Sequence, residues 1–327
     1  MTAEPEPEVY ECRFKEYCAR IFEYTTPHYH ISAFKAYGYS KQDAIDAFKS
    51  LFRDIDNAMR DLHSALTIHN KYNAEFDIVI DIDDLSVAVF HPDLEKPQFY
   101  HYPLYEFLQM HKQSPHYADY FAKRLLSFAF GYKSLMHNYY ETLRPIIRDY
   151  IRSADHPALP TNYDYHITDN ATIRILYQPS YFEIEIRAEL RYLSFDYKRK
   201  VEYDDYVGIN IERFLIPAYQ IDRNPAIITK FFDTCIRAFD IASYLTDFIR
   251  LYFFDEDIHT FIDFEADTES PRIKILVKKY IGTDPDFARK IYKRLAYLEL
   301  SRPEFYTLSN DTILHYIISL LKQNSTS

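Results

Sequence analysis

The chain has 327 residues, 47% of them hydrophobic, enough to bury one large core or two ordinary ones. Its four glycines, Gly38, Gly131, Gly208 and Gly282, stand far apart, which excludes the clustered-glycine phosphate loops of the P-loop and Rossmann kinds. A net charge of -11 repels duplex DNA at long range, and three cysteines, Cys12, Cys18 and Cys235, form neither a CxxC nor an even framework, which suits a reducing compartment.

The N-terminal MTAEPEPEVYE is acidic and carries no apolar run, so no secretory signal is expected there. Tyr10, Phe14, Tyr17, Ile21 and Phe22 recur at helical spacing and predict a helix over 9–24. An aromatic connection containing His28-Tyr29-His30 follows. Ser40, with Asp43 three residues on, reads as a capping box, and Ile45, Phe48, Leu51, Phe52, Ile55, Met59, Leu62 and Leu66 predict a second helix. The period then changes from 3.6 to 2. In FDIVIDIDDLSVAVF, residues 76–90, β-branched residues alternate with acids, as in an antiparallel hairpin. Helices are expected again over 104–112 and along a pattern from Tyr117 to Arg152, which Pro145 should kink or break by removing a backbone donor.

Residues 153–170, with Pro157 and Pro160, read as a connector and place a lobe boundary near 156. Strands are expected at 173–177, 181–192 and 195–203; in the second, Phe182, Ile184, Ile186, Ala188 and Leu190 take one face, with Glu183, Glu185, Arg187, Glu189 and Arg191 on the other. The strongest helical pattern runs from Asn224 to Phe254. Asn before Pro is a helix start, and Ile228, Phe231, Phe232, Cys235, Phe239, Ala242, Leu245, Ile249 and Tyr252 then make one wide apolar stripe. A helix of about 30 residues is roughly 45 Å long, enough to serve as a spine. A second hairpin is expected over 258–264 and 273–277. Asp284-Pro285 reads as the start of a helix striped by Phe287, Ile291, Leu295 and Leu298, and a last helix follows Ser309 through Ile313, Ile317 and Leu321.

The expected fold is therefore α+β and helix-rich, with long amphipathic helices and short antiparallel hairpins or sheets in two lobes, 1–155 and 156–327. Helix, acidic hairpin and further helices occur once in each lobe, the outline of a duplication. No charge-free apolar run reaches eighteen residues, so no membrane partner is expected and the chain reads as soluble and cytoplasmic.

Asp77, Asp81 and Asp83 share one strand face at period 2, and close carboxylates on a strand are what Mg²⁺ or Mn²⁺ needs for phosphoryl or nucleotidyl transfer. The Asp81-x-Asp83 pair resembles the acidic pair of nucleotidyltransferases, but the Gly-Ser element that holds the triphosphate in that family has no counterpart in the preceding helix. The competing reading is a solvated hairpin face that uses charge against edge-to-edge pairing. His259, Asp263 and Glu265 make a second acid and histidine group, and His28-x-His30 has zinc-like spacing without an identifiable third ligand. Neither a G-x-S-x-G elbow nor an HExxH helix is present.

Lys278, Lys279, Arg289, Lys290, Lys293 and Arg294, interleaved with tyrosines, are the candidate contacts for RNA or single-stranded nucleic acid, with cations on phosphates and rings on bases. The same residues also read as the solvent face of a helix. With 32 tyrosines and no recognisable catalytic motif, the leading expectation is a non-enzymatic interaction or assembly protein, with a protein partner or a second copy of itself and no cofactor. A nucleic-acid binder ranks second and a Mg²⁺- or Mn²⁺-dependent transferase or nuclease third.

Overall fold

The computed structural model describes residues 41–80, 84–114, 116–177, 182–200, 207–265, 272–284 and 290–325. The expected helix over 9–24, the Ser40 cap and the His28-x-His30 pair lie outside them. The chain forms two compact units, Met1–Tyr132 and Lys133–Ser327, so residues 153–170 fall inside the second.

In the first unit, helix α1 (Lys41–His69) is followed by strands β1 (Glu75–Ile80), β2 (Asp84–Phe90) and β3 (Gln98–Pro103), then helices α2 (Leu104–Gln113) and α3 (Tyr117–Phe130). The strands form an antiparallel sheet in the order β1-β2-β3, with Ile78 opposite Val87 and Val87 opposite Tyr100. Helix α1 buries Ile55, Ala58, Leu62, Ala65 and Leu66, at three- and four-residue steps, and packs on α3. Leu85, Val87 and Val89 of β2, Leu104 and Phe107 of α2, and Phe121, Ala122 and Leu125 of α3 complete the core. Its centre is aromatic: Tyr102 and Phe107 each meet the Phe121 ring edge-on, at 5.0 and 5.2 Å, and the Tyr102 and Tyr117 hydroxyls hydrogen-bond at 2.7 Å.

The second unit begins at Lys133, the second residue of helix α4 (Tyr132–Ala154). The expected break at Pro145 is not there. Helix α3 ends instead at Gly131, whose backbone at φ -136 and ψ 31 leaves the helical region, whereas the exposed Pro145 sits inside α4 and the helix runs through it. The helix is carried through the proline by the burial of Leu143 and Ile147 on either side of it.

Strands β4 (Asp164–Ile167), β5 (Ile173–Tyr177), β6 (Phe182–Ala188), β7 (Tyr192–Arg199) and β8 (Val207–Pro217) form an antiparallel meander. A short helix α5 (Ala218–Arg223), a 3-10 turn (Pro225–Ile228) and the long helix α6 (Thr229–Phe253) lead to β9 (Ile258–Glu265), β10 (Arg272–Thr283) and β11 (Lys290–Ser301), with helices α7 (Arg302–Thr307) and α8 (Asn310–Ser325) last. The expectation of separate short sheets is corrected here. Strands β8 and β9 pair in parallel, Ile209 opposite Ile262, and so join both sets into one eight-stranded sheet, β11-β10-β9-β8-β7-β6-β5-β4. The α5–α6 segment is the crossover that a parallel pair requires.

One row of side chains crosses the whole sheet: Tyr165, Ile175, Ile184, Tyr197, Ile211, Phe264, Ile273 and Leu300. Helix α6 covers this face over β8 and β9, and α8 packs on β11 and α6. Of the predicted spine stripe, Ile228, Phe231, Phe232, Cys235, Ala242, Leu245 and Ile249 are buried at 0% exposure; each large side chain among them contributes about 1.5–3 kcal/mol. The start differs from expectation in one respect. Asn224 holds the cap position without a side-chain hydrogen bond, and Pro225 opens a 3-10 turn before the α-helix proper.

The predicted helix from Asp284 through Leu298 is overturned: residues 290–301 are strand β11, antiparallel to β10. A register shift leaves Leu295 as an extra residue between the pairs Lys278/Arg294 and Val277/Ala296. That bulge breaks the period of 2, so the apolar residues fall at steps of three and four and imitate a helix stripe. Strand β8 is masked in sequence for the same reason. Arg213 is an extra residue at φ 51, its N–H bonded to the Asp196 carboxylate at 2.6 Å, so that Ile209 and Ile211 before it and Phe214 and Ile216 after it all point to the core.

Candidate functional site

The first of the predicted sites is the acidic hairpin. Asp77 lies on the exposed side of β1, opposite Ala88, while Asp81 and Asp83 fall outside the described residues. The neighbouring Asp84 is engaged structurally: its carboxylate accepts from the Tyr102 N–H at 3.1 Å and from Ser86 at 3.0 Å and sits 2.5 Å from His101 Nδ1. Among the described residues no group of three or more His, Cys, Asp or Glu is placed to hold a metal ion.

His259 and Asp263 share a face of β9, as their spacing implies, but they do not converge. Each stands opposite a lysine of β10, Lys278 and Lys274 respectively, and the His259 ring meets Tyr292 edge-on at 5.5 Å; Glu265 is the last residue of the strand.

The predicted cations are divided by the strand pairing rather than gathered on a helix. Lys278 and Arg294 are direct cross-strand partners on the half-exposed face opposite α6, beside Phe261, Tyr280, Tyr292 and Tyr297. The Lys278 ammonium lies 4.3 Å from the Phe261 ring centre and Arg294 5.9 Å from that of Tyr297, cation–π distances. Lys279 and Lys293, also opposite each other, take the other face. There Lys279 donates to Asp255 at 2.7 Å, which raises its own pKa; burial alone would lift the Asp255 carboxyl, but the bonds from Lys279 and the Asp257 N–H hold it low. Lys290 stands opposite Thr283, and Arg289 is outside the described residues.

A different surface emerges at the C-terminal end of α6, where the expected stripe has only Tyr252 after Ile249. Phe248, Leu251, Tyr252, Phe253 and Phe254 are all exposed, Leu251 at 69% and Phe254 at 92%. The helix stops because Phe254 adopts a left-handed conformation, φ 51 and ψ 43, and the N–H groups of Phe254 and Asp255 bond back to the Arg250 carbonyl. Glycine or asparagine ordinarily takes that position, since a Cβ there costs roughly 1–2 kcal/mol. A bulky aromatic is thus held in an unfavourable backbone state with its ring in water. Arg250 also donates to the Ile258 carbonyl at 2.7 Å and so fixes the turn into β9. Ring contacts brace the patch, Tyr244 on Phe248 at 4.5 Å and Tyr252 on Phe253 at 5.0 Å, and exposed Asp247, Glu256 and Asp257 border it.

The other spine charges are tied into the fold. Arg237 donates to the Leu308 carbonyl and Asn310 Oδ1, both at 2.6 Å, and fastens α6 to the α7–α8 connection; burial lowers its pKa. Asp233 accepts from Tyr150, and Asp240 lies 3.0 Å from His156. Cys235 is a free, wholly buried thiol whose pKa burial pushes up.

No known family model matches this chain, and no curated protein matches it. Among the described residues, no helix is long and apolar enough to cross a membrane.

Proposed function

We propose that the chain is a non-catalytic interaction or assembly protein that docks a protein partner on the apolar C-terminal end of α6. The observation that carries this reading is Phe254, 92% exposed at a left-handed helix end and continuous in sequence with exposed Leu251, Tyr252 and Phe253. Contiguous exposed apolar side chains with a polar rim are the usual anatomy of an interface, and a phenylalanine at the left-handed helix end, where glycine would cap the helix as well, sets a large ring in water. Among the described residues, the rim carries exposed Asp247, Glu256 and Asp257 against one lysine, Lys322, 5.8 Å from the Tyr252 ring; acids predominate, so the fitting partner presents an apolar ridge flanked by lysine or arginine.

The test pairs sedimentation of the purified chain with affinity capture, using wild type and Leu251→Asp/Phe254→Asp. Wild type is expected to retain a partner at fixed stoichiometry, and the variant to lose at least about 30-fold in affinity with unchanged helix content, the effect of removing one interface hot spot. A variant that keeps every partner of the wild type refutes the proposal.

A second reading rests on the Lys278/Arg294 pair beside Phe261 and Tyr292 on the half-exposed sheet face, a stacking platform with cations for single-stranded RNA. The net charge of -11 opposes it. Salt-dependent RNA binding abolished by Lys278→Glu/Arg294→Glu would install it in place of the first; retention of wild-type RNA affinity would end it.

A further inference from the structure

The second unit contains an arginine-lined cleft of about 550 Å³, a size typical of small-ligand sites. One wall is α4, where Arg144, Arg148 and Arg152 recur every fourth residue and are all exposed, so they form a single stripe with steps of about 6 Å. The other wall is Thr161, Asn162, Tyr163, Asp164 and Tyr165, from the connector and the start of β4.

That wall is anchored. Tyr165 pairs with Ile175 in the sheet and its ring lies 4.9 Å from Tyr140, while the connector before it is held by the Tyr197 hydroxyl, which donates to the Ala158 carbonyl at 2.6 Å. The cleft is therefore built between a helix and a connector anchored at both ends, to Tyr197 and to the sheet edge.

Charge is distributed against the trend of the chain. In a protein with 49 acidic and 38 basic residues, an exposed arginine should find a carboxylate easily. Arg148 has one, Asp149 at 3.0 Å. Arg144 and Arg152 have none among the described residues; Arg144 instead lies over the Tyr140 and Tyr165 rings, at 5.4 and 6.0 Å. Asp164 is the one acid in the lining, against three guanidinium groups.

The remaining lining groups can donate: the Thr161 hydroxyl, the Asn162 amide and the Tyr163 phenol. Burial pushes the Tyr163 pKa up while the fields of Arg152, Arg148 and Arg144 pull it down, so all three cations are felt at this ring. The Tyr165 hydroxyl is enclosed without a hydrogen-bond partner. A concave surface of forked cations and neutral donors is matched by phosphate oxygens, which guanidinium binds in bidentate fashion. One phosphate reaches at most two neighbours of the stripe, whereas a linked run engages all three.

We propose that the cleft formed by Arg144, Arg148, Arg152 and residues 161–165 binds a polyphosphate group, two or more linked phosphates carried free or on a nucleotide. This site is independent of the docking surface on α6, and either assignment stands without the other.

Calorimetric titration of the full chain with orthophosphate, inorganic tripolyphosphate and ATP tests it. Tripolyphosphate should bind at least about tenfold tighter than orthophosphate and weaken as salt rises. Arg148→Ala/Arg152→Ala should lose about 100-fold, roughly tenfold per arginine, with an unchanged melting temperature because both side chains are exposed. Arg148→Lys/Arg152→Lys should recover only part of the loss, since charge returns without the planar fork. ATP tighter than tripolyphosphate would identify a nucleotide as the source, with its base on the Tyr163 side; equal affinities would identify the phosphate run alone. Tripolyphosphate bound no tighter than orthophosphate, or bound equally by the double alanine variant, overturns the assignment.

Discussion

Thr246 on α6 and Thr260 on β9 meet through their hydroxyl groups at 2.8 Å, at 1% and 0% exposure. Their neighbours along the chain, Leu245, Ile249, Ile258 and Ile262, are apolar and buried, so each hydroxyl depends on the other. Thr246→Val keeps the shape and removes one oxygen, which strands the Thr260 hydroxyl in the core at a cost of about 1–3 kcal/mol; Thr260→Val does the same from the other side. The double variant strands nothing and adds two buried methyl groups, so it should fall within about 1 kcal/mol of wild type. The coupling, double minus the sum of singles, is then negative and about 2 kcal/mol or more in size.

With no tryptophan in the chain, urea unfolding followed by far-ultraviolet circular dichroism is the suitable assay. At a slope of about 2 kcal/mol per molar urea, each single variant should lower the midpoint of the second unit by about 1 M, without moving the slope. Additive effects, or single variants within a few tenths of a kcal/mol of wild type, would refute the idea that this bond joins spine and sheet.

Pro145→Ala should stabilise the second unit by about 2 kcal/mol, because a helix-interior proline costs about 3 and the greater freedom of the unfolded alanine chain returns up to about 1. A melting temperature at or below that of wild type would contradict it. In the first unit, hydrogen bonds from Lys123, at 2.7 Å, and from His69 hold the Asp119 carboxyl below its ordinary value of 3.8. The unfolded chain therefore takes up this proton first as pH falls, and the stabilisation, full above the ordinary value, is lost as pH drops below about 4. Asp119→Asn should flatten the acid limb of the stability profile below pH about 4 by at most about 1 kcal/mol, since Asp119 is 43% exposed; an unchanged limb would remove Asp119 from the account.

Much of the secondary structure was legible because one face is buried and the other wet. The Phe182, Ile184, Ile186 and Ala188 alternation, the Ile173–Tyr177 strand and the start of α2 at Leu104 all follow from that contrast. What escaped has identifiable causes. The Leu295 and Arg213 bulges each shift the side-chain parity by one, hiding β11 as a helix and removing β8 from view. β3 and β4 are short, with half of their residues exposed, and carry too little alternation to register. The candidate sites fared differently. A tyrosine- and arginine-rich α4 gave no signal, because its partner wall at residues 161–165 comes from another element.

By itself the sequence determined which segments have a face to bury: the stripe from Ile228 to Ile249, the alternating strands, and the glycine scarcity that rules out two kinds of nucleotide loop. Periodicity measures contrast along one segment and carries no information about what lies opposite. Only the tertiary structure decided that β8 and β9 pair in parallel beneath α6, which fuses two sets of strands into one sheet. It also decided that the sheet's cover ends before Leu251 to Phe254, leaving apolar side chains of the same helix in water. Burial is a property of the neighbour as much as of the residue, and neighbours distant in sequence are fixed by packing.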